Sequence, residues 1–353
     1  MNKSLVALAV LGTLAGTASA QSSVTLFGVL DANVRFTKGG GNSLNEVGTD
    51  GQQTSRIGVR GVEDLGGGLK ANFFLDSQIQ ANTGVAGDQT TTPTKFWNRR
   101  ATVGLSGDFG EFRLGRDKTS VRNLIDDADA FGTVGLGGVS TVALSALGAN
   151  TGLVAPAGVA TNRSDNQFRY FLPSNLGGIY GSFDMGYGEG VPGNRYYGGR
   201  LGYKEGPLNL SVGMQQSNVT IPGPKFGMGA VSGSYDFGIA KLTVFGIETK
   251  YISRKQDAYG VNVQAPVGNG VVKVQYTNSN TNDIAKAAKF YNADLVSASY
   301  AYNLSKRSQL YGTISQLDNK GNGTLALNGS NALVKPTAGG KSSGFDVGIT
   351  HMF

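Results

Sequence analysis

Apolar and polar residues alternate one by one over short stretches of this chain, and turn residues separate the stretches. The clearest stretch covers 24–36. Val24, Leu26, Gly28, Leu30, Ala32, Val34 and Phe36 share one parity, while Asp31, Asn33 and Arg35 share the other. A period of two with one apolar face is a β-strand with one dry side. Its length exceeds the ~5–6 residues of an ordinary soluble strand and suits a tilted membrane crossing of ~9–11. In 55–62 the same alternation sets Ile57 and Val59 against Arg56 and Arg60. In 69–80 it sets Leu69, Ala71, Phe73, Leu75 and Ile79 against Lys70, Asn72, Asp76, Gln78 and Gln80. Sixteen runs of this kind can be counted: those three, then 97–106, 111–115, 165–171, 179–187, 197–204, 208–216, 226–237, 241–251, 258–265, 271–278, 295–304, 308–316 and 343–353. The run at 241 is the least regular, because Leu242 and Val244 compete in parity with Phe245 and Ile247.

The connections fall into two alternating classes. Seven are short and have the glycine and proline chemistry of tight turns: 63–68, 107–110, 173–178, 205–207, 236–240, 266–270 and 303–307. The others are longer, including 37–53, 82–94 and 318–342, and the longest is 117–162. Short turns at one end and long loops at the other is the layout of an outer-membrane barrel with both termini in the periplasm. In lipid an open sheet edge would leave N–H and C=O groups unpaired at several kcal/mol each, so the sheet must close. The expected fold is all-β, a 16-stranded antiparallel transmembrane β-barrel, with the third long loop folded into the lumen. Tyr180, Tyr187, Tyr203, Tyr235, Tyr300 and Tyr302 lie near expected strand ends, where they would form interfacial girdles.

Composition agrees with a wet interior. Glycine makes up 55 of 353 residues, and the hydrophobic fraction is only 39%, low for a packed soluble core of this size. A barrel needs an apolar outer face alone. Residues 1–20 have the form of a signal peptide: Lys3, an apolar stretch from Leu5 to Leu14, and a small-residue site at Ala18-Ser19-Ala20. The mature barrel is therefore expected over 21–353, with thirty basic residues against twenty-four acidic ones and no cysteine.

The segment Ser55-Arg56-Ile57-Gly58-Val59-Arg60-Gly61-Val62-Glu63-Asp64-Leu65-Gly66-Gly67-Gly68-Leu69 resembles the second hairpin of Gram-negative general porins. The resemblance is greatest to the trimeric, anion-selective porins of β-proteobacteria. It extends to 22–30, to the turn 103–110, to Arg113-Leu114-Gly115-Arg116, to 303–307 and to the terminal 348–353. Phe353, on the same parity as Phe345, Val347 and Ile349, is similar to the C-terminal assembly signal of that family. The resemblance implies a homotrimer surrounded by outer-membrane lipid and lipopolysaccharide.

Nothing in the sequence favours catalysis. The single histidine, His351, sits on the apolar parity of the last run without neighbours at metal-ligand spacing. No enzyme activity, metal, cofactor or nucleic-acid partner is expected. The basic residues say more. Arg35, Arg56, Arg60, Lys70, Arg100, Arg113, Arg169, Arg200 and Lys204 fall on lumen parities, as does Asp76. Lumen charges tune ion selectivity, while charges at mid-depth on the lipid face are costly. The resemblance implies a constriction arginine cluster at Arg56, Arg99 and Arg163. Strict alternation points Arg100 inward rather than Arg99, and a bulge would reconcile the two. In the long connection Asp126, Asp127 and Asp129 are expected to face this wall across the eyelet, where low-dielectric walls focus the field. Beyond them 139–159 carries no charge, and 133–160 has no expected place.

The expected function is an outer-membrane channel for passive diffusion of ions and small hydrophilic solutes, with a preference for small anions. The alternatives are a substrate-specific channel for phosphate or organic anions, or a structural or adhesive surface barrel.

Overall fold

A computed structural model describes residues 22–89, 94–144, 160–190, 195–218, 223–287, 291–327 and 332–353. The proposed signal peptide lies outside them. The described chain forms one antiparallel sheet of seventeen strand segments, which closes when the first (β1, Ser23–Gly39) pairs with the last (β17, Lys341–Met352). Two segments share one place in the wall. β2 (Asn42–Thr49) pairs with the outer half of β1, and β3 (Arg56–Gly66) pairs with its inner half. The barrel thus has sixteen strand positions. The wall continues through β4 (Leu69–Gln78), β5 (Arg100–Gly107), β6 (Gly110–Lys118), β7 (Arg163–Phe171), β8 (Ile179–Gly186) and β9 (Tyr196–Glu205). It is completed by β10 (Leu208–Asn218), β11 (Lys225–Asp236), β12 (Lys241–Tyr251), β13 (Arg254–Val267), β14 (Gly270–Thr281), β15 (Ala293–Asn303) and β16 (Ser308–Asn319).

The burial pattern is inside out. Leu26 is 60% exposed, and Leu30, Val34 and Phe36 are also exposed, while Asp31 is 0% exposed and Asn33, Arg35 and Thr37 beside it are buried. Lipid replaces water as the solvent of the apolar face, and the polar face turns inward. The last backbone pair closes the seam. Gly28 N–H donates to the Phe353 carbonyl at 3.0 Å, and Phe353 N–H donates to the Gly28 carbonyl at 3.1 Å. Gly28 is required there, because a Cβ would fall 2.8 Å from the Arg56 carbonyl oxygen.

Several boundaries differ from the sequence reading. The stretch 37–53 is not a long loop. β1 runs on to Gly39, Gly40 and Gly41 turn with positive φ, and β2 returns along it. The alternation of β2 is invisible because its outward row, Ser43, Asn45 and Val47, is mostly polar. The run at 97 begins only at Arg100, and the run at 111 extends from Gly110 to Lys118 across a register shift between Gly115 and Asp117. Tyr180 is no girdle residue; it points inward, with its hydroxyl donating to Asn209 Oδ1 at 2.7 Å.

The conflict at 241 has a clear cause. Leu242 and Val244 face outward, while Phe245 and Ile247 are buried in the lumen. With Phe226, Met228, Ala230 and Ala258 they form an apolar platform on the inner wall of β11–β13. That platform receives the long connection.

Candidate pore constriction

The long connection opens as a helix, α1 (Ser120–Ala128), whose face of Val121, Leu124, Ile125 and Ala128 packs on the platform. Thr119 caps its first turn, its side chain accepting from Arg122 N–H at 3.1 Å. The buried Asp184 of β8 accepts from Ser120 N–H at 2.9 Å, so a carboxylate meets the positive helix end. Tyr196 and Gln167 hold Asp184 from the side. Past the helix, Leu136 and Val142 are buried against Ala293, Leu295, Leu317 and Leu327. A π-turn (Ser140–Leu144) ends the described part of the loop, and 145–159 lies outside the described residues. The segment 133–144, left without a place by its lack of charge, is therefore packed inside the barrel by its apolar residues.

The three acidic residues of the loop have three different settings. Asp126 is clasped by Arg122 Nε at 2.7 Å and by the Lys118 ammonium. Burial opposes its ionisation, but Arg122 and Lys118 outweigh that and hold its carboxyl below the usual range. Asp127 is 61% exposed at its side chain and pairs with Arg200 Nη1 at 2.6 Å. Asp129 does not face the channel as expected. It is buried and accepts from Thr133 N–H at 2.7 Å, Val139 N–H at 2.8 Å, Phe131 N–H at 3.1 Å and Gln275 Nε2 at 2.7 Å. Burial pushes its carboxyl up, and its work is to tie the loop to β14.

The arginines gather on the wall between β3 and β7. Arg99 lies just before β5, where the chain is not yet extended, and its Nε donates to Asp76 Oδ2 at 3.1 Å. Arg100 opens β5 and also points inward, toward Asp117 at 3.7 Å and over the Phe74 ring at 4.1 Å. Both reach the lumen because alternation holds only within a strand, and the strand starts between them. Arg163 Nε donates to the Arg99 carbonyl at 2.7 Å, and Arg56 Nη1 donates to the Thr54 carbonyl at 3.0 Å. Arg99 lies within electrostatic reach of both. Among the described residues neither Arg56 nor Arg163 forms an ion pair, whereas Arg99, Arg100, Arg116, Arg122 and Arg200 each do.

Further along the lumen, aromatic rings support a row of cations. Arg60 lies 5.5 Å from the Phe27 centroid, Arg113 and Arg169 each lie 4.3 Å from Phe171, and Arg200 lies 5.1 Å from Tyr180. Arg113 also pairs with Asp117 at 2.7 Å, and Arg35 pairs with Asp346 across the closing seam at 3.2 Å. Lys70 is exposed at the short-turn end of β4. A polar cavity of about 460 Å³ adjoins the cluster, lined by Gln78, Gln80, Asn98, Arg116, Arg163 and the carboxylate of Asp88 among others.

The sequence missed Asp184 and Gln275, whose roles depend on contacts 64 and 146 residues away. It also missed Lys118 and Arg122 as partners of Asp126. The four-residue helical spacing of Arg122 and Asp126 was the available signal.

Comparison with known proteins agrees with this architecture. The profile of the Gram-negative porin family matches residues 7–322. Outer membrane porin protein 32 of Delftia acidovorans is 37% identical over the full length of both chains. An outer membrane porin protein of Bordetella pertussis is 28% identical over 88% of this chain and 93% of its own. The solved anion-selective porin of Comamonas acidovorans superposes with a TM-score of 0.81 at 35% identity, covering 94% of this chain and all of that one.

Proposed function

The chain belongs to the Gram-negative porin family and is an outer-membrane porin, and from that premise we propose a water-filled diffusion channel whose constriction prefers anions. The observation that carries the preference is the pair Arg56 and Arg163, two cations on the lumen wall without an ion-pair partner among the described residues, beside Arg99. The acids of the loop form no ion pair with them among the described residues. Asp126 and Asp127 are matched by their own cations, and Asp129 is turned away from the channel. An entering anion exchanges part of its hydration for guanidinium donors, and small hydrophilic solutes follow their gradients without turnover. Arg35, Arg60, Lys70, Asp76, Arg100 and Arg113 line the route. Phe353 serves assembly by completing the seam.

In a planar bilayer under a KCl gradient the reversal potential should report chloride preference, and cation preference would sink the proposal. Arg56→Ala and Arg163→Ala should each lower the preference several-fold, since a unit charge at ~5 Å in wet surroundings is worth roughly 1 kcal/mol. The carboxamide-lined cavity beside Arg163 supports a second reading, a saturable site for organic anions. Saturable block of chloride current by such an anion would favour it. The assembly is a homotrimer on family grounds, and light scattering in detergent tests that stoichiometry.

A further inference from the structure

We propose that the inner wall between β1 and β5 carries a subsite for aromatic carboxylates, on the short-turn side of the constriction. It is built on two rings that face the lumen rather than lipid. Phe27 of β1 and Phe74 of β4 meet with centroids 5.1 Å apart and planes at 52°. Phe27 is the register partner of Gly58, and Phe74 that of Arg60, so both belong to the inward rows. Gly58 places no side chain between them, and the Phe27 ring lies across it. A Cβ at Gly58 would fall 2.3 Å from Phe27 Cζ. An arginine stands at each end of the ring pair. Arg60 lies 5.5 Å from the Phe27 centroid, and Arg100 lies 4.1 Å from that of Phe74.

This pair differs from the apolar platform of the lumen in being uncovered. Helix α1 packs on β8–β12 and buries Phe226 and Phe245 there, whereas Phe27 and Phe74 are only half-buried. The two arginines are not equivalent. Arg100 donates to Thr102 Oγ1 at 3.0 Å and faces Asp117 at 3.7 Å. Arg60 is exposed and forms no ion pair among the described residues, so its planar fork is open to a carboxylate. A ligand that satisfies both halves of this site carries its carboxylate on a flat apolar ring. An aliphatic acid would use Arg60 and leave the rings in water. A neutral arene would cover the rings and leave Arg60 unpaired. Arg60 stands four residues beyond Arg56 on β3, about 13 Å further toward the turn at 63–68. The subsite is therefore separate from the eyelet arginines, and an anion that has passed them meets it next.

The inference rests on the open channel proposed above. Its test is a fluorine NMR titration of 4-fluorobenzoate into the detergent-purified full-length protein. The dissociation constant should rise about tenfold in Arg60→Gln, which loses the charge-assisted bonds, and about fivefold in Phe27→Leu, which loses a ring contact. Lys204→Gln, which removes an exposed cation at the short-turn end of β9, should leave it unchanged. Cyclohexanecarboxylate, with the same charge and no π-face, should displace the probe only at several-fold higher concentration. An unchanged constant in Arg60→Gln or in Phe27→Leu overturns the proposal. So does an equal loss in Lys204→Gln, which would mean general charge attraction, or equal competition by cyclohexanecarboxylate, which would mean a site for any apolar acid. The expected pattern in a protein whose reversal potential shows cation preference supports the subsite and overturns the selectivity reading alone. Unchanged heat-modifiable gel migration confirms that the variants fold.

Discussion

Asp126 and Asp129 stand three residues apart on one loop and meet opposite surroundings. Two cations hold Asp126 ionised, so its charge persists through the ordinary carboxylate range near 4 and is lost only as pH falls below it. Protonation there frees Lys118 and Arg122 toward the channel. Asp126→Asn should therefore raise anion preference at neutral pH, and the difference from the native protein should vanish at pH values below the ordinary range. Reversal potentials of both proteins from pH 7 to 3 check this, and identical values throughout would mean that the permeating ion does not feel Asp126. Asp129 has no such role, because its oxygens are spent on backbone amides and Gln275. In sequence the two residues look alike. Spacing cannot distinguish a carboxylate beside a lysine from one enclosed by its own loop.

At the scale of elements, the inward loop is held by two apolar contacts in an otherwise polar lumen. Leu124→Ala removes a buried side chain from the first of them, and such truncations cost about 2–5 kcal/mol. The barrel wall does not depend on that contact. The expected result is unchanged heat-modifiable migration together with noisier or larger single-channel currents, as the loop leaves the platform for part of the time. Quiet currents of native size would show that Asp129 and Asp184 suffice to fix the loop. The platform was present in the sequence as a fault in alternation at 241–251. Phe245 and Ile247 broke the parity of their strand because they face a helix instead of water.

At the scale of the molecule, closure depends on the seam between β1 and β17. Arg35 and the fully buried Asp346 are direct register partners there, with Arg35 Nε at 3.3 Å and Nη2 at 3.2 Å from the same carboxylate oxygen. Asp31 fixes the inner edge of the same seam, accepting from Tyr311 Oη at 2.6 Å, Thr350 Oγ1 at 2.8 Å and Gly51 N–H at 2.9 Å. Asp346→Ala leaves Arg35 without its partner and should cost about 2–3 kcal/mol, the scale of hydrogen bonds to a charged group. The midpoint of the heat-modifiable transition on gels should fall accordingly, and an unchanged midpoint would show that water replaces the carboxylate at no cost.

The sequence by itself determined the barrel, its antiparallel order, the lipid-facing row of each regular strand and the inward direction of Arg35, Arg56, Arg60 and Arg113. These follow from a period of two, which is local and is enforced by the solvent on either side. Strand ends above the membrane were hidden, as at β2, because both faces there are wet and the hydrophobic signal disappears. Only the tertiary structure decided which charges are free. It matched Asp126 to Lys118, Asp127 to Arg200 and Arg99 to Asp76, and left Arg56 and Arg163 without an ion-pair partner among the described residues. Ion pairing depends on distances between strands far apart in the chain, and no residue pattern encodes those distances.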